Sequence, residues 1–535
     1  MSVRLNRLPL EGPALCTAYI EDHSRVSPFF NAGPPTQIDS YRRVAELIRT
    51  NSPESRWPAL GEGLNPTDTQ VSARLQDLIR GRGVFVATGQ QAGLFVSPLL
   101  TLYKALTAAR LAQQLQSQLG IPVMPLFSTA SEDHDWAEVD HTYVIDLENR
   151  LVRLSVQGPE VGDSAGKHPS VELIEIGPDV DDALDVLDQI TPDSEFKSSV
   201  LTPLRESYRP AASFAAAFES ALGYLLREHG FLLARTAHPY VKSASRQLMW
   251  AEWQKREESE ARLLERVSAL EGAGYKAQVP VAAGSTNLFL EGPLGRDRLM
   301  RDGADAKLRR SGLQLSESEL AEIIHSTPAR VSPGALLRPV TEAQAFPVVA
   351  YVGGPSEIAY LAESQVLFDL HGVPAPVVVP RAAFHLVEPK TLRVLEKYDV
   401  EPRDLAGDSA ATLNRLLKER TAPELQESLN ALRASVSAAL DDVESAAVAF
   451  DRGARSAVGS GKQAVFESIK ALEAKLQARI REKNQVMQQQ LEKAALHLYP
   501  GGRPQERVLN PYPFLVRYGL ELLRKIYAAV VTPLD

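Results

Sequence analysis

The chain carries a single cysteine among 535 residues. One thiol cannot close an intrachain disulfide, which excludes a disulfide-stapled secreted fold and fits a reducing compartment. Cys16 has only His23 nearby to activate it and reads as ordinary packing. No apolar run reaches the ~18 residues that a membrane helix needs, so no membrane partner is expected. The first residues lack the apolar core and small-residue cleavage site of a signal peptide, which points to a cytoplasmic location. Basic charge is in deficit: 58 Lys plus Arg stand against 67 Asp plus Glu, a net charge of −9. Nucleic-acid binding is built on Lys/Arg excess, so no nucleic-acid partner is expected. Aromatics make up 7% of the chain and show no base-stacking pattern. What remains is 44% hydrophobic and 23% charged, an ordinary globular balance. At roughly 100–200 residues per domain, the length allows about three to four structural units.

The most informative stretch begins at Val84-Phe85-Val86-Ala87, a short apolar, β-branched run. The polar turn Thr88-Gly89-Gln90-Gln91 follows, then Pro98. Leu99, Leu102, Tyr103, Leu106, Ala109, Ala112 and Leu115 repeat at helical spacing until Gly120. Ile121 to Phe127 is a second apolar run. This is the pattern of a βαβ unit, and so of a parallel sheet. A second unit lies downstream: a strand over Phe346 to Val352, a turn at Gly353-Gly354-Pro355-Ser356, a helix from Glu357 to Leu370 and a strand at Val377-Val378-Val379. Asn51 to Asn65, rich in Pro and Gly, reads as loop.

The fold expected is α/β: a parallel-sheet core with a long insertion and an antiparallel α-helical coiled-coil arm. Residues 1–145 form a lead-in and the first part of the core, 146–340 inserted connecting segments with a strong helix from Tyr240 to Glu271, and 341–388 the second part of the core. In 389–498, Leu425, Leu429, Leu432, Val436 and Leu440, and later Val465, Ile469, Leu472 and Leu476, step by threes and fours between charges, the signature of a coiled-coil pair. Thr421 with Glu424 suggests a capping box at its start. A thin hairpin cannot cover such a seam, so self-association is expected. Residues 499–535 return to the core.

Three clusters are candidates for chemistry. The Thr88 to Gln91 turn ends a strand, and in open α/β sheets ligands bind in the crevice there, beside the positive end of a helix. Glu132-Asp133-His134-Asp135 follows the next strand, placing carboxylates beside an imidazole, which raises its pKa and fixes its tautomer. Gly353 and Gly354, with Glu357, open the second helix and let a ligand approach the backbone. Arg338, Arg381 and Lys104 are candidate anion clamps. A plain strand-to-helix turn explains the two glycine-containing corners equally well. The spacing matches no closed zinc site, so no resident metal is expected.

Taken together, these motifs resemble the BshC family of cysteine-adding enzymes of bacillithiol biosynthesis. The matching segments are Thr88 to Phe95 with Tyr103-Lys104, Glu132 to Asp135 with Asp140-His141-Thr142, Asn287-Leu288-Phe289, Leu337 to Val340, Tyr351 to Pro355 with Glu357 to Tyr360, Pro380-Arg381 and Glu506 to Asn510. Ser356 and Leu361 depart from the common residues, as does the segment Arg235 to Pro239.

The resemblance implies a Rossmann-like core and a homodimer held by the coiled coil. It also implies a last biosynthetic step in which L-cysteine is added to glucosaminyl-malate. It further implies an adenine nucleotide, ATP or ADP, held near Arg381, Phe384, His385, Leu386 and Asn510, and leaves open whether Mg²⁺ accompanies it. A carboxylate does not condense with an amine unaided, so activation to an acyl-adenylate or acyl-phosphate is expected. His134, poised by Asp133 or Asp135, is the expected base. Thr88, Gln90, Gln91, Lys104, Asn287, Arg338, Gly353, Gly354 and Glu357 are the expected substrate contacts. Two alternatives stay open: a non-catalytic nucleotide-binding scaffold, and an ATP-dependent ligase acting on a different amine.

Overall fold

The computed structural model describes residues 3–64, 66, 69–158, 169–407, 414–416, 423–483 and 485–535. The chain divides into two compact units, one of Leu5–Leu386 with Glu506–Asp535 and the other built on Val387–Gln505.

The larger unit is organised around a five-stranded parallel sheet. Its strands are β1 (Val84–Gln90), β2 (Val123–Thr129), β3 (Leu232–Arg235), β4 (Val348–Gly353) and β5 (Val377–Pro380), in the spatial order β5-β4-β1-β2-β3. The continuous apolar runs read from the sequence become strands buried on both faces, as parallel sheets require. β1 and β2 approach closely at Gly89, where a Cβ would lie 2.5 Å from the carbonyl oxygen of Ser128. The crossover helix α1 (Leu100–Leu119) ends at Gly120 in the left-handed conformation (φ 67°), as its sequence stop signal predicts.

From β1 the chain moves outward through β2 and β3. It then returns to lay down β4 and β5 on the other side. The order therefore reverses between β1 and β4, the place where open α/β sheets leave a crevice. Two helices bracket β4: α2 (Arg338–Ala345) before it and α3 (Pro355–His371) after it.

Three sequence expectations change. The stretch 146–340 is not wholly an insertion, because β3 within it completes the sheet. Its four residues carry too little pattern to stand out. The predicted helix Tyr240 to Glu271 is two helices, Pro239–Gln254 and Arg256–Gly272, separated at Lys255. A five-stranded antiparallel sheet over Ser285–Pro333 packs with these helices through a core that includes Trp253, Leu290, Leu299 and Leu337. The expected loop at 51–65 also contains a helix, Arg56–Gly63. It is anchored by Trp57, which is buried and donates from Nε1 to the carbonyl of Gly83 at 2.9 Å.

The second unit contains the expected antiparallel pair, α4 (Pro423–Phe450) and α5 (Ala454–Lys483), followed by α6 (Gln485–Leu498). Arg433 pairs with Glu473 at 2.6 Å, and Lys462 with Asp441 at 2.8 Å and with Glu444. The partners step in opposite directions along the two helices, which sets the antiparallel register. Thr421, and with it the predicted capping box to Glu424, lies outside the described residues. Among the described residues, no helix is long and apolar enough to cross a membrane.

Candidate active site

A cavity of about 270 Å³ opens beside the carboxyl ends of β1 and β4. The two polar corners meet here: Gln90 and Gln91 come from β1 and its turn, Gly354 and Glu357 from the start of α3. Arg338 and Glu342 enter from α2, Tyr351 and Tyr360 from β4 and α3, and Arg381 and Arg507 complete the wall.

Lys104 of α1 ties the corners together. Its ammonium donates to the Gly89 carbonyl, to Gln90 Oε1 at 3.2 Å and to Glu357 Oε2 at 2.7 Å. It is 1% exposed and is not among the residues that line the cavity. Burial lowers its pKa below the ordinary lysine value, against the pull of Glu357. Glu357 is fully engaged: Oε1 accepts from the Tyr351 hydroxyl at 3.1 Å, and Oε2 also accepts from the Gly354 amide at 2.8 Å. The α3 N-terminus is thus closed by its own carboxylate.

Thr88 is not in the wall. Its hydroxyl donates to the Val352 carbonyl at 2.8 Å and joins β1 to β4 across 264 residues of chain. Gly353 forms the end of β4, where its carbonyl accepts from the Arg381 amide at 3.0 Å.

The acidic cluster after β2 is arranged differently from the sequence expectation. Asp133 turns towards cations: Oδ2 lies 3.7 Å from Arg338 and accepts from Gln91 Nε2 at 3.1 Å, and Oδ1 lies 3.9 Å from Arg296. Burial would raise this carboxyl, but Arg338, Arg296 and the bonds from Gln91 and the His134 amide hold it below the usual range. His134 Nδ1 lies 3.6 Å from Asp133 but 3.1 Å from Arg296 Nη1. A guanidinium only donates, so Nδ1 is the acceptor and the neutral ring carries its proton on Nε2. Arg296 thus engages the Nδ1 lone pair, and His134 is not among the residues lining the cavity. Asp135 is exposed and forms no side-chain cap on the short helix after it.

Other expected contacts have structural partners. Asn287 donates to Glu252 at 2.9 Å and to Ser259 at 3.1 Å, in a buried network that also pairs Glu252 with His371. Arg381 reaches the cavity, yet its guanidinium makes two bonds to Glu506, at 2.8 and 2.5 Å. Asn510 donates to the Phe95 carbonyl and Thr142 and accepts from the Tyr512 amide, so it pins a turn in which Phe95 and Val96 have φ of 53° and 58°. Phe384, His385 and Leu386 are buried, and the Phe384 ring packs on Tyr103. All four side chains lie in the protein interior.

Sequence reasoning missed Glu342, Tyr351, Tyr360 and Arg507 in the cavity wall, and Arg296 as the cation beside Asp133 and His134. Glu342 had a signal: it stands four residues after Arg338, one helical turn along the same face. Arg296 had none, because it arrives on a strand of the antiparallel sheet. Among the described residues, no group of three or more His, Cys, Asp or Glu side chains is placed to hold a metal.

The fold and site define an α/β protein with a Rossmann-like core, a polar small-molecule cavity at the switch point of its sheet and a coiled-coil unit. The chain belongs to the BshC family of bacillithiol biosynthesis: the family's N-terminal Rossmann-like domain matches residues 1–382 and its C-terminal coiled-coil domain residues 384–533. It is similar to proteins named "Putative cysteine ligase BshC" from three bacteria. The Salinibacter ruber protein is 30% identical over 97% of this chain and 94% of its own length. Those of Symbiobacterium thermophilum (29%; 98% and 96%) and Chlorobaculum tepidum (31%; 91% and 88%) are alike over similar spans.

Proposed function

We propose that this protein is a ligase that joins the carboxyl of L-cysteine to the amine of glucosaminyl-malate, the last step of bacillithiol synthesis. The names of its relatives support the cysteine-ligase class. The observation that carries the reading is the cavity at the β1–β4 switch point, where acids and guanidinium groups share one small concave site. Its volume is near the low end for small-ligand pockets.

In this reading Arg338 and Arg507 orient the malate carboxylates, since a guanidinium offers a fixed fork of donors. Gln90 and Gln91 bond sugar hydroxyls or the cysteine carboxylate. Lys104 and Glu357 hold the two corners at a constant separation. ATP supplies the activation that a carboxylate needs before an amine attacks it. The donor set around the crevice suits an anionic co-substrate, although the α3 N-terminus is already occupied by Glu357.

The same reading includes a homodimer formed through the coiled coil. Leu432, Val443, Phe450 and Leu472 are exposed along the helical pair, and a second copy would cover them.

The test is direct. The purified chain is incubated with cysteine, glucosaminyl-malate and ATP, and the mixture is analysed by mass spectrometry for bacillithiol together with AMP or ADP. Bacillithiol that depends on ATP is the expected result, and its absence overturns the reading.

A further inference from the structure

Glu342 is the one acid of the cavity wall with an oxygen left unbonded. It is 7% exposed, and its Oε1 has no hydrogen-bond partner. The side chain lines both the main cavity and a small void behind it that contains Glu132 and Lys242. Glu357, the other acid of the wall, has its two oxygens filled by Tyr351, Gly354 and Lys104. Asp133, near the cavity, is held by Arg338, Arg296 and Gln91. A buried carboxyl oxygen without a donor is costly in a resting protein and calls for a ligand that supplies one.

We infer that Glu342 is a catalytic residue that receives the proton of the attacking amine. This rests on the ligase reading above. In the step, the amine nitrogen forms a bond to the activated cysteine carbonyl carbon. The bond from that carbon to its leaving group breaks, and the leaving group departs with the electron pair. The proton shed by the nitrogen passes to Glu342 and then to solvent.

The electrostatics suit the task. Burial pushes the Glu342 carboxyl up to about 8, against the lowering pull of Arg338, Ser128 and Lys104 and with a further rise from Glu357. Tyr351 and Tyr360 also face it, and burial holds both phenols well above their usual range, so neither competes as a base. A base titrating near the working pH transfers protons most effectively.

The experiment compares wild type, Glu342→Gln and Glu342→Asp in the cysteine, glucosaminyl-malate and ATP assay from pH 6 to 9.5, with melting temperatures alongside. Glu342→Gln is expected to lower kcat on the order of 10²-fold or more, with KM for the amine within about threefold. The rising limb of the wild-type kcat profile near pH 8 should vanish in Gln and persist in Asp. Gln preserves shape and removes an unbonded acid, so its melting temperature should equal or exceed that of wild type. Gln turnover within about threefold of wild type overturns the inference and leaves the ligase reading standing. A lower melting temperature for Gln marks a structural role and also overturns it. Failure of the wild type to make bacillithiol sinks the ligase reading and this step with it.

Discussion

The Arg381–Glu506 pair offers the sharpest test of how the wall of the cavity is built. Both side chains are almost fully buried, at 1% and 4% exposure, and they are joined by two hydrogen bonds. Arg381 also donates to the Ala382 carbonyl at 2.9 Å. If this guanidinium is scaffold, Arg381→Met leaves the Glu506 carboxylate in the interior without its cation. Breaking a buried pair from one side costs about 3–5 kcal/mol, whereas replacing both partners by apolar groups is often close to neutral. Arg381→Met and Glu506→Leu should therefore each lower the urea midpoint by the equivalent of about 3–5 kcal/mol. The double variant should return to within about 1 kcal/mol of wild type. The assay is equilibrium urea unfolding followed by tryptophan fluorescence, analysed as a double-mutant cycle. Additive losses, or an Arg381→Met protein as stable as wild type, would refute the scaffold argument and return Arg381 to the role of an anion clamp.

Other predictions follow from the same structure. Lys104→Met should cost about 3 kcal/mol, because it strips the Glu357 carboxylate and the Gly89 carbonyl of one shared cation; a thermal melt checks this. Asn510→Ala should cost roughly 1–3 kcal/mol, since the Phe95 carbonyl and the Tyr512 amide lose their buried partner, again read by melting. Between its ordinary value of 4.5 and the folded value of about 8, Glu342 keeps in the native state a proton that the unfolded chain has shed. Stability is therefore lost as pH rises through that window, and Glu342→Gln escapes the loss. The stability gap between the variant and wild type should widen from near zero at pH 5 to as much as ~4 kcal/mol at pH 8, at 1.36 kcal/mol per unit. A gap independent of pH would contradict the burial of this acid. In the proposed homodimer, Val443→Glu combined with Leu472→Glu should leave a monomer in light scattering at micromolar concentration, because both positions are exposed apolar residues of the helical pair; a wild type that is already monomeric removes the dimer proposal.

How much of this was legible depended on where each interaction lay along the chain. β1, β2, β4 and β5 are continuous apolar runs ended by turn residues, a pattern made by neighbouring residues and so visible without a structure. The heptad-like spacing of α4 and α5 is legible for the same reason. β3 has only Leu-Leu-Ala-Arg to announce it, and its membership in the sheet is settled by pairing with β2.

The sequence by itself determined the parallel-sheet class, the helical pair and the two polar corners at strand ends. Tertiary structure decided which charged groups face one another. Asp133 is next to His134 in the chain, yet its carboxylate is drawn to Arg338 and Arg296, and Arg296 occupies the imidazole nitrogen that sequence proximity had reserved for the acid. Lys104 reaches Glu357 and Arg381 reaches Glu506 only because the sheet stacks distant segments. Backbone propensity acts over a few residues, whereas an ion's energy depends on its distance to other charges and to water. Those distances exist only once the chain has folded.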